Sequence, residues 1–400
     1  MPLYWLWFAN LPNIPLWQKK AILERFPDPE EIYFAPAEAF EEIPDFTQEM
    51  QAALACKDLQ ECEQIAAQCR KKNIAILPFG DEQYPERLRN IEDPPVVLYY
   101  RGLLPDWDER PYIGVVGTRK ATSYGLQQAR IMGSQIALCG GMVVSGGATG
   151  IDSASMTGAM DAGSAVVGVL GGGVDVIYPR TNRRLFTQVV EKGCLLSEYP
   201  PGAAPLGWHF LQRNRIISGL CHGILVVEAP ERSGALSTAR HAARQGRDIY
   251  ALPANVGIAA YAGNNGLLQQ GYPAALNGWD TVKAYAHLYP ETVANNCQIL
   301  GSAQEKTTLK VAQNPVIPEK SQKLSIDNPE KSSYSVLIDG TSSLQEEEKE
   351  ILSLLTRHPV HSDTVAENST LPPQKVQSIL TKLTLQGLVE HYPGGRVSLK

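Results

Sequence analysis

From residue 112 onward, short unbroken Val/Ile/Leu runs alternate with longer stretches whose apolar residues recur every three or four positions. The runs at 112–116, 142–145, 165–170, 194–197, 223–228 and 248–252 predict strands. The segments 123–139, 151–162, 182–191 and 235–245 between them predict helices. Residues 1–75 show helical spacing instead, with Leu11, Ile14 and Leu16, then Ala21, Ile22, Leu23 and Phe26. Interruptions at Pro12, Pro15, Pro27, Pro29, Pro36 and Pro44 predict short helices joined by tight turns.

Strands that are apolar at every position are buried on both faces, and strand–helix alternation marks βαβ units. Residues 76–290 are therefore expected to form an α/β core, an extended Rossmann-like parallel sheet covered by helices on each side. In the first 75 residues, two similar units around Asn13-Ile14-Pro15 and Pro44-Asp45-Phe46 point to a SAM-like or helix-hairpin-helix-like module. Neither turn has a glycine to open backbone amides toward phosphate, which favours a structural or protein-contact role. Residues 291–343 are rich in Gln, Lys, Ser, Asn and Pro without a sustained period, and read as a flexible linker. Residues 344–400 regain order, with helices near 346–357, 364–368 and 374–386. Strands at 388–392 and 396–399 then flank Pro393-Gly394-Gly395, the pattern of a winged helix.

Charge sharpens this division. The net charge of −6 conceals −9 over residues 1–110, +5 over 111–275 and −2 over 276–400, so the sheet core is the basic part. No apolar stretch approaches the ~18 residues of a spanning helix, and no membrane partner is expected. The aromatic N-terminus lacks the basic flank and small-residue cleavage site of a signal peptide. Seven cysteines without a C-x-x-C pair suit a reducing compartment, so a cytoplasmic protein without a metal site is expected.

Several catalytic signatures are missing: G-x-x-x-x-G-K-[ST], G-x-S-x-G and H-E-x-x-H are absent, and Ser145 occupies the first glycine of the nearest dinucleotide-like fingerprint. No cofactor and no catalytic residue is assigned. What remains is a set of glycine turns after predicted strands: Gly117-Thr118-Arg119, Ser145-Gly146-Gly147 and Gly171-Gly172-Gly173, with Ser233-Gly234 opening a later helix. Along the strand ends of an open parallel sheet, residues without Cβ let backbone N–H groups and helix N-termini approach an anion. Any one turn is explained by chain geometry alone; four together, with Arg119 and Ser233 beside two of them, favour phosphate. The segment 208–215 sets Trp208 and Phe210 before Arg213, Asn214 and Arg215. Bases could stack on the rings while guanidiniums neutralise a backbone; a core role for the rings and a solvated one for the arginines carry equal weight. Arg240, Arg244 and Arg247 read as a solvated stripe, His209 and His241 as core or surface, and Cys56, Cys62, Cys69 and Cys139 as small helical hydrophobes.

Together, Val116-Gly117-Thr118-Arg119, Val144-Ser145-Gly146-Gly147-Ala148, Gly150-Ile151-Asp152, Leu170-Gly171-Gly172-Gly173-Val174-Asp175, Tyr178-Pro179, Arg213-Asn214-Arg215-Ile216-Ile217 and Val226-Val227-Glu228-Ala229 resemble the DNA-processing protein A (DprA/Smf) family. The resemblance is dense over residues 74–276. It implies a non-catalytic protein that binds single-stranded DNA without sequence preference and protects incoming strands. It further implies loading of a RecA-type recombinase during natural transformation and homologous recombination, and a homodimer. It puts the phosphates against Arg119, Arg213 and Arg215, with the glycine turns supplying amides. The chain departs from the family pattern at Thr118, where serine is usual, and at Leu211-Gln212, where a proline and a basic residue are usual. Two rival readings remain. One is a phosphoribohydrolase of the lysine-decarboxylase-like type, whose P-G-G-x-G-T-x-x-E motif is not reproduced in 228–238. The other is a winged-helix transcription regulator, for which six basic against seven acidic residues in 344–400 is a poor balance.

Overall fold

The structure is a computed structural model that describes residues 2–40, 42–294, 346–355, 360–385, 388–392 and 396–399. Contacts divide the chain into two compact units, Met1–Pro315 and Val316–Lys400.

The first unit opens with α1 (Leu3–Asn10), α2 (Leu16–Arg25), α3 (Pro29–Phe34), α4 (Gln48–Ala55) and α5 (Gln60–Lys71). Asn13 and Asp45 take positive φ, 59° and 58°, and so supply the left-handed turns for which no glycine was available. Then follow β1 (Ala75–Pro78), α6 (Glu86–Arg89), β2 (Val97–Gly102), β3 (Tyr112–Gly117), α7 (Ser123–Leu138), β4 (Met142–Ser145) and α8 (Ile151–Asp161). The chain continues through β5 (Val166–Val169), α9 (Arg183–Lys192), β6 (Cys194–Ser197), α10 (Gly207–Leu220), β7 (Gly223–Glu228) and α11 (Gly234–Arg244). It closes with β8 (Asp248–Ala251), α12 (Ala262–Gln269) and α13 (Gly278–Lys283).

The eight strands form one sheet in the order β1-β2-β6-β5-β4-β3-β7-β8. The six expected strands pair in parallel. β1 and β2, which the periodicity did not announce, add an antiparallel edge. Within the strands, side chains alternate between two buried clusters. Tyr112, Val144, Leu196 and Val226 face α10 and α11, whereas Ile113, Val143, Leu195 and Leu225 face α7, α8 and α9. The first helices close a third cluster, around Leu6, Phe8, Ile22 and Ile32, that takes in Val97 and Tyr99 of β2 and Val174.

From β3 the chain winds outward to β4, β5 and β6, then returns to lay β7 on the other side of β3. The loops leaving β3 and β7 therefore depart to opposite faces, which opens a crevice at their C-terminal ends.

The second unit contains α14 (Glu346–Ser353), β9 (Val360–His361), α15 (Ser362–Glu367), α16 (Pro373–Leu385), β10 (Val389–Tyr392) and β11 (Arg396–Leu399). Its strands order β10-β11-β9 around a core that includes Ile351, Val376, Leu380 and Val397. The wing turn at 393–395 and nearly all of the expected linker lie outside the described residues.

Candidate nucleic-acid interface

A recess of about 440 Å³ fills the crevice between β3 and β7, and α10 forms one wall. The loop after β3 contributes Thr118, Arg119 and Lys120; the loop before α11 contributes Arg232, Ser233 and Gly234; α10 contributes Phe210, Arg213 and Asn214; and α8 contributes Asp152. Arg119, Lys120 and Arg232 are exposed and form no ion pair among the described residues. Ser233 caps α11, its Oγ accepting from the amide of Ala235 at 3.2 Å. The space where a Cβ of Gly234 would stand is open. Cations and a helix N-terminus thus converge on one hollow, an arrangement suited to phosphate.

Arg119 lies over the Phe210 ring, its guanidinium carbon 4.8 Å from the centroid, and the half-exposed Tyr178 ring is 5.6 Å from the same ring. These three side chains also border a second hollow of about 40 Å³, together with Gly146, Ala148, Thr149 and Pro179. Flat apolar faces beside guanidiniums are the elements of a base-stacking surface. Trp208 is exposed near Tyr199 and His209, and is not among the residues that line either hollow.

Arg213 serves a different purpose from Arg119. It is buried, and its Nη1 donates to the carbonyl of Gly146 at 2.8 Å and to that of Val169, while Nε donates to Asn214 Oδ1 at 3.3 Å. It thereby fastens the ends of β4 and β5 beneath the recess. A Cβ on Gly146 would stand 2.5 Å from its Nη2, so glycine is needed for the guanidinium to reach the strand ends. Burial pushes the Arg213 pKa down to about 10, with Arg119 acting in the same sense and Asp152 opposing. Burial likewise raises the Asp152 carboxyl, against the pull of Arg213 and the amide of Ala148. Asp152 is the one carboxylate among the described residues lining the recess, and it is buried.

Arg215, two residues on, faces away from the recess. It is buried in ion pairs with Glu198 at 2.6 Å and Asp93 at 3.1 Å. The hydroxyl of Ser145 is also buried, donating to the carbonyl of Val115 at 2.7 Å. Gly147 has φ +65°, with Phe186 packed where its Cβ would be, and Gly171 and Gly172 admit Phe210 and the 203–205 segment at close range. A Cβ on Gly117 would collide with Ile151, and Asn214 donates to the carbonyl of Gly234 at 3.2 Å. The structure thus gathers Gly117, Thr118, Arg119, Arg213, Asn214, Ser233 and Gly234 at the recess, with Gly146 next door, and sets Arg215, Ser145, Gly171 and Gly172 in supporting positions. Lys120 and Arg232 join the site without having been named as site residues, adjacency to Arg119 and Ser233 being the available signal; Tyr178 and Asp152, quoted above only as motif residues, join it too. Arg240 and Arg244 are exposed, as expected of a solvated stripe, whereas Arg247 is half-buried and donates to the carbonyl of Arg87 at 2.8 Å. Cys62, Cys69 and Cys139 are buried, but Cys56, expected as a helical hydrophobe, is exposed just beyond the end of α4.

The family model described as DNA recombination-mediator protein A matches residues 75–286, more than half of the chain, and the DprA winged helix domain matches residues 339–395. Protein Smf of Synechocystis is 30% identical over 405 residues, covering 98% of this chain and 97% of the relative. The DNA processing protein DprA of Bacillus subtilis is 40% identical over 216 residues, 54% of this chain and 73% of that protein. The crystal structure of DNA processing protein A from Streptococcus pneumoniae superposes with a TM-score of 0.61 at 31% identity, covering 70% of this chain and 96% of that one. The chain belongs to the DNA-processing protein A (DprA/Smf) family, and its role is in DNA processing.

Proposed function

We propose that this protein binds single-stranded DNA through its phosphates at the recess between β3 and β7, without sequence preference and without making or breaking a bond. The observation that carries this reading is the convergence of Arg119, Lys120 and Arg232, none of them ion-paired among the described residues, on the N-terminus of α11. The cations read charge rather than sequence, and the Tyr178–Phe210 faces accept any base. A recess set at the C-terminal ends of β3 and β7 suits an unpaired strand, which can bend into it, better than a stiff duplex. Arg213, Arg215 and the glycine turns hold the backbone shape on which those contacts depend.

The description of the matched family as a recombination mediator supports a further step, delivery of the bound strand to a RecA-type recombinase, with protection of incoming DNA during natural transformation. A homodimer, a cytoplasmic location and protein-contact roles for residues 1–75 and 344–400 complete the proposal.

Oligo-dT binding tests the central statement. The logarithm of the affinity is expected to fall with the logarithm of salt concentration by roughly 0.7 per phosphate neutralised. Preference for duplex, or a salt-independent affinity, would overturn the reading. Release of free base from AMP by the purified protein would replace it with the hydrolase. Failure to accelerate recombinase filament formation on single-stranded DNA would remove the delivery step alone.

A further inference from the structure

We infer that Glu228 is a positioning residue, which holds the loop of Arg119 and Lys120 in the attitude that presents both cations to the recess. The inference rests on the DNA-binding reading of that recess. Glu228 is the last residue of β7 and is fully buried. Its main-chain oxygen accepts from the amide of Thr118 at 2.7 Å. Its carboxylate accepts from the amide of Thr122 at 3.0 and 3.1 Å and from the Thr122 hydroxyl at 2.7 Å. One residue therefore clamps both ends of the loop, with Arg119 and Lys120 between the clamped points.

The carboxylate is compensated in an unusual way. Among the described residues no Lys, Arg or His lies within ion-pair distance of it. The tyrosine hydroxyl of Tyr261 instead adds a third donor at 2.8 Å. Thr122 is the N-cap of α7, and its Oγ accepts from the amide of Gly125 at 3.0 Å, so the carboxylate sits under the positive end of a sixteen-residue helix. A Cβ on Gly125 would collide with Glu228 Oε2; the helix can rest on the carboxylate only through glycine. The chemistry demands the acid: three donors converge on it, and a glutamine of the same shape has one acceptor oxygen and would turn an NH₂ toward donors. Glu228 is not among the residues lining the recess, so it acts through the loop and not on the ligand.

The test uses the full chain and oligo-dT, reading dissociation constant and salt slope for Glu228→Gln, for Arg119→Ala/Lys120→Ala, and for the three changes combined. The paired charge removal is expected to weaken binding about tenfold or more and to lower the slope by roughly 0.7 for each lost contact. Glu228→Gln is expected to reproduce part of both losses, and the combined variant to bind no more weakly than the charge-removed one, because Glu228 has nothing left to position. Wild-type affinity and slope in Glu228→Gln, or losses that multiply, overturn the inference while the DNA reading stands. Wild-type binding by Arg119→Ala/Lys120→Ala overturns both. Should Glu228→Gln fail to fold, Thr122→Val is read in its place, with Thr122→Ser expected to restore affinity and slope; no loss in Thr122→Val, or no recovery in Thr122→Ser, counts against the inference.

Discussion

Two arginines close together in space illustrate how burial decides a residue's use. Arg119 stands in solvent over an aromatic ring, its charge available to a ligand. Arg213 donates to two carbonyls and is buried beneath the recess. Replacing Arg119 with alanine is expected to weaken oligo-dT binding about tenfold, the scale of one charge-assisted contact, with an unchanged urea midpoint. Arg213→Ala is expected to lower stability by roughly 2–5 kcal/mol, because it leaves two buried carbonyls without their donor. Chemical denaturation separates the two; a stable Arg213→Ala protein would show that its bonds are not structural. The residue types of the site were legible in the sequence, since Gly117-Thr118-Arg119 and Ser233-Gly234 could be read as anion turns. Their facing was not. Arg213 and Arg215 are two positions apart on one helix, so they point to different sides, and only the packing of α10 decides which side is the recess.

At the scale of elements, the first helices show how buried polar groups, Gln18 and Lys19 of α2, donate to main-chain oxygens. Lys19 of α2 reaches back to the end of α1, donating to the carbonyl of Ala9 at 2.6 Å and of Leu11 at 3.0 Å. Burial lowers its pKa from 10.5 to about 8, with Glu198 opposing. Below pH 8 the lysine is charged folded or unfolded and its contribution is constant. Between pH 8 and 10.5 the unfolded chain holds more of the proton, so stability gains with rising pH in that window. Lys19→Met is expected to abolish that gain, measured as the difference between the two proteins' unfolding free energies across the window. A parallel pair of curves would refute the assignment. In the hairpin turn at Asp45, glycine is expected to be tolerated or mildly stabilising, whereas Asp45→Val should cost roughly 1–2 kcal/mol at a φ of 58°. The six parallel strands were readable because each carries a short unbroken apolar run. β1 and β2 were not, since β1 ends in Pro78 at the sheet edge and β2 follows Asp93-Pro94-Pro95, composition that reads as loop.

At the scale of the whole molecule, the basic recess belongs to the first unit alone. The second unit folds around its own core and carries a near-neutral balance, so a chain ending at residue 294 is expected to bind oligo-dT with the affinity and salt slope of the full protein. A large loss on truncation would move DNA contact into the winged helix. The most direct measurement is the salt dependence of oligo-dT binding by the intact protein beside Arg119→Ala, Lys120→Ala and Arg232→Ala. The predicted result is a steep slope for the wild type that falls by roughly 0.7 with each substitution. Equal slopes in all four proteins would contradict the claim that these cations, gathered at the crevice of the sheet, hold the strand.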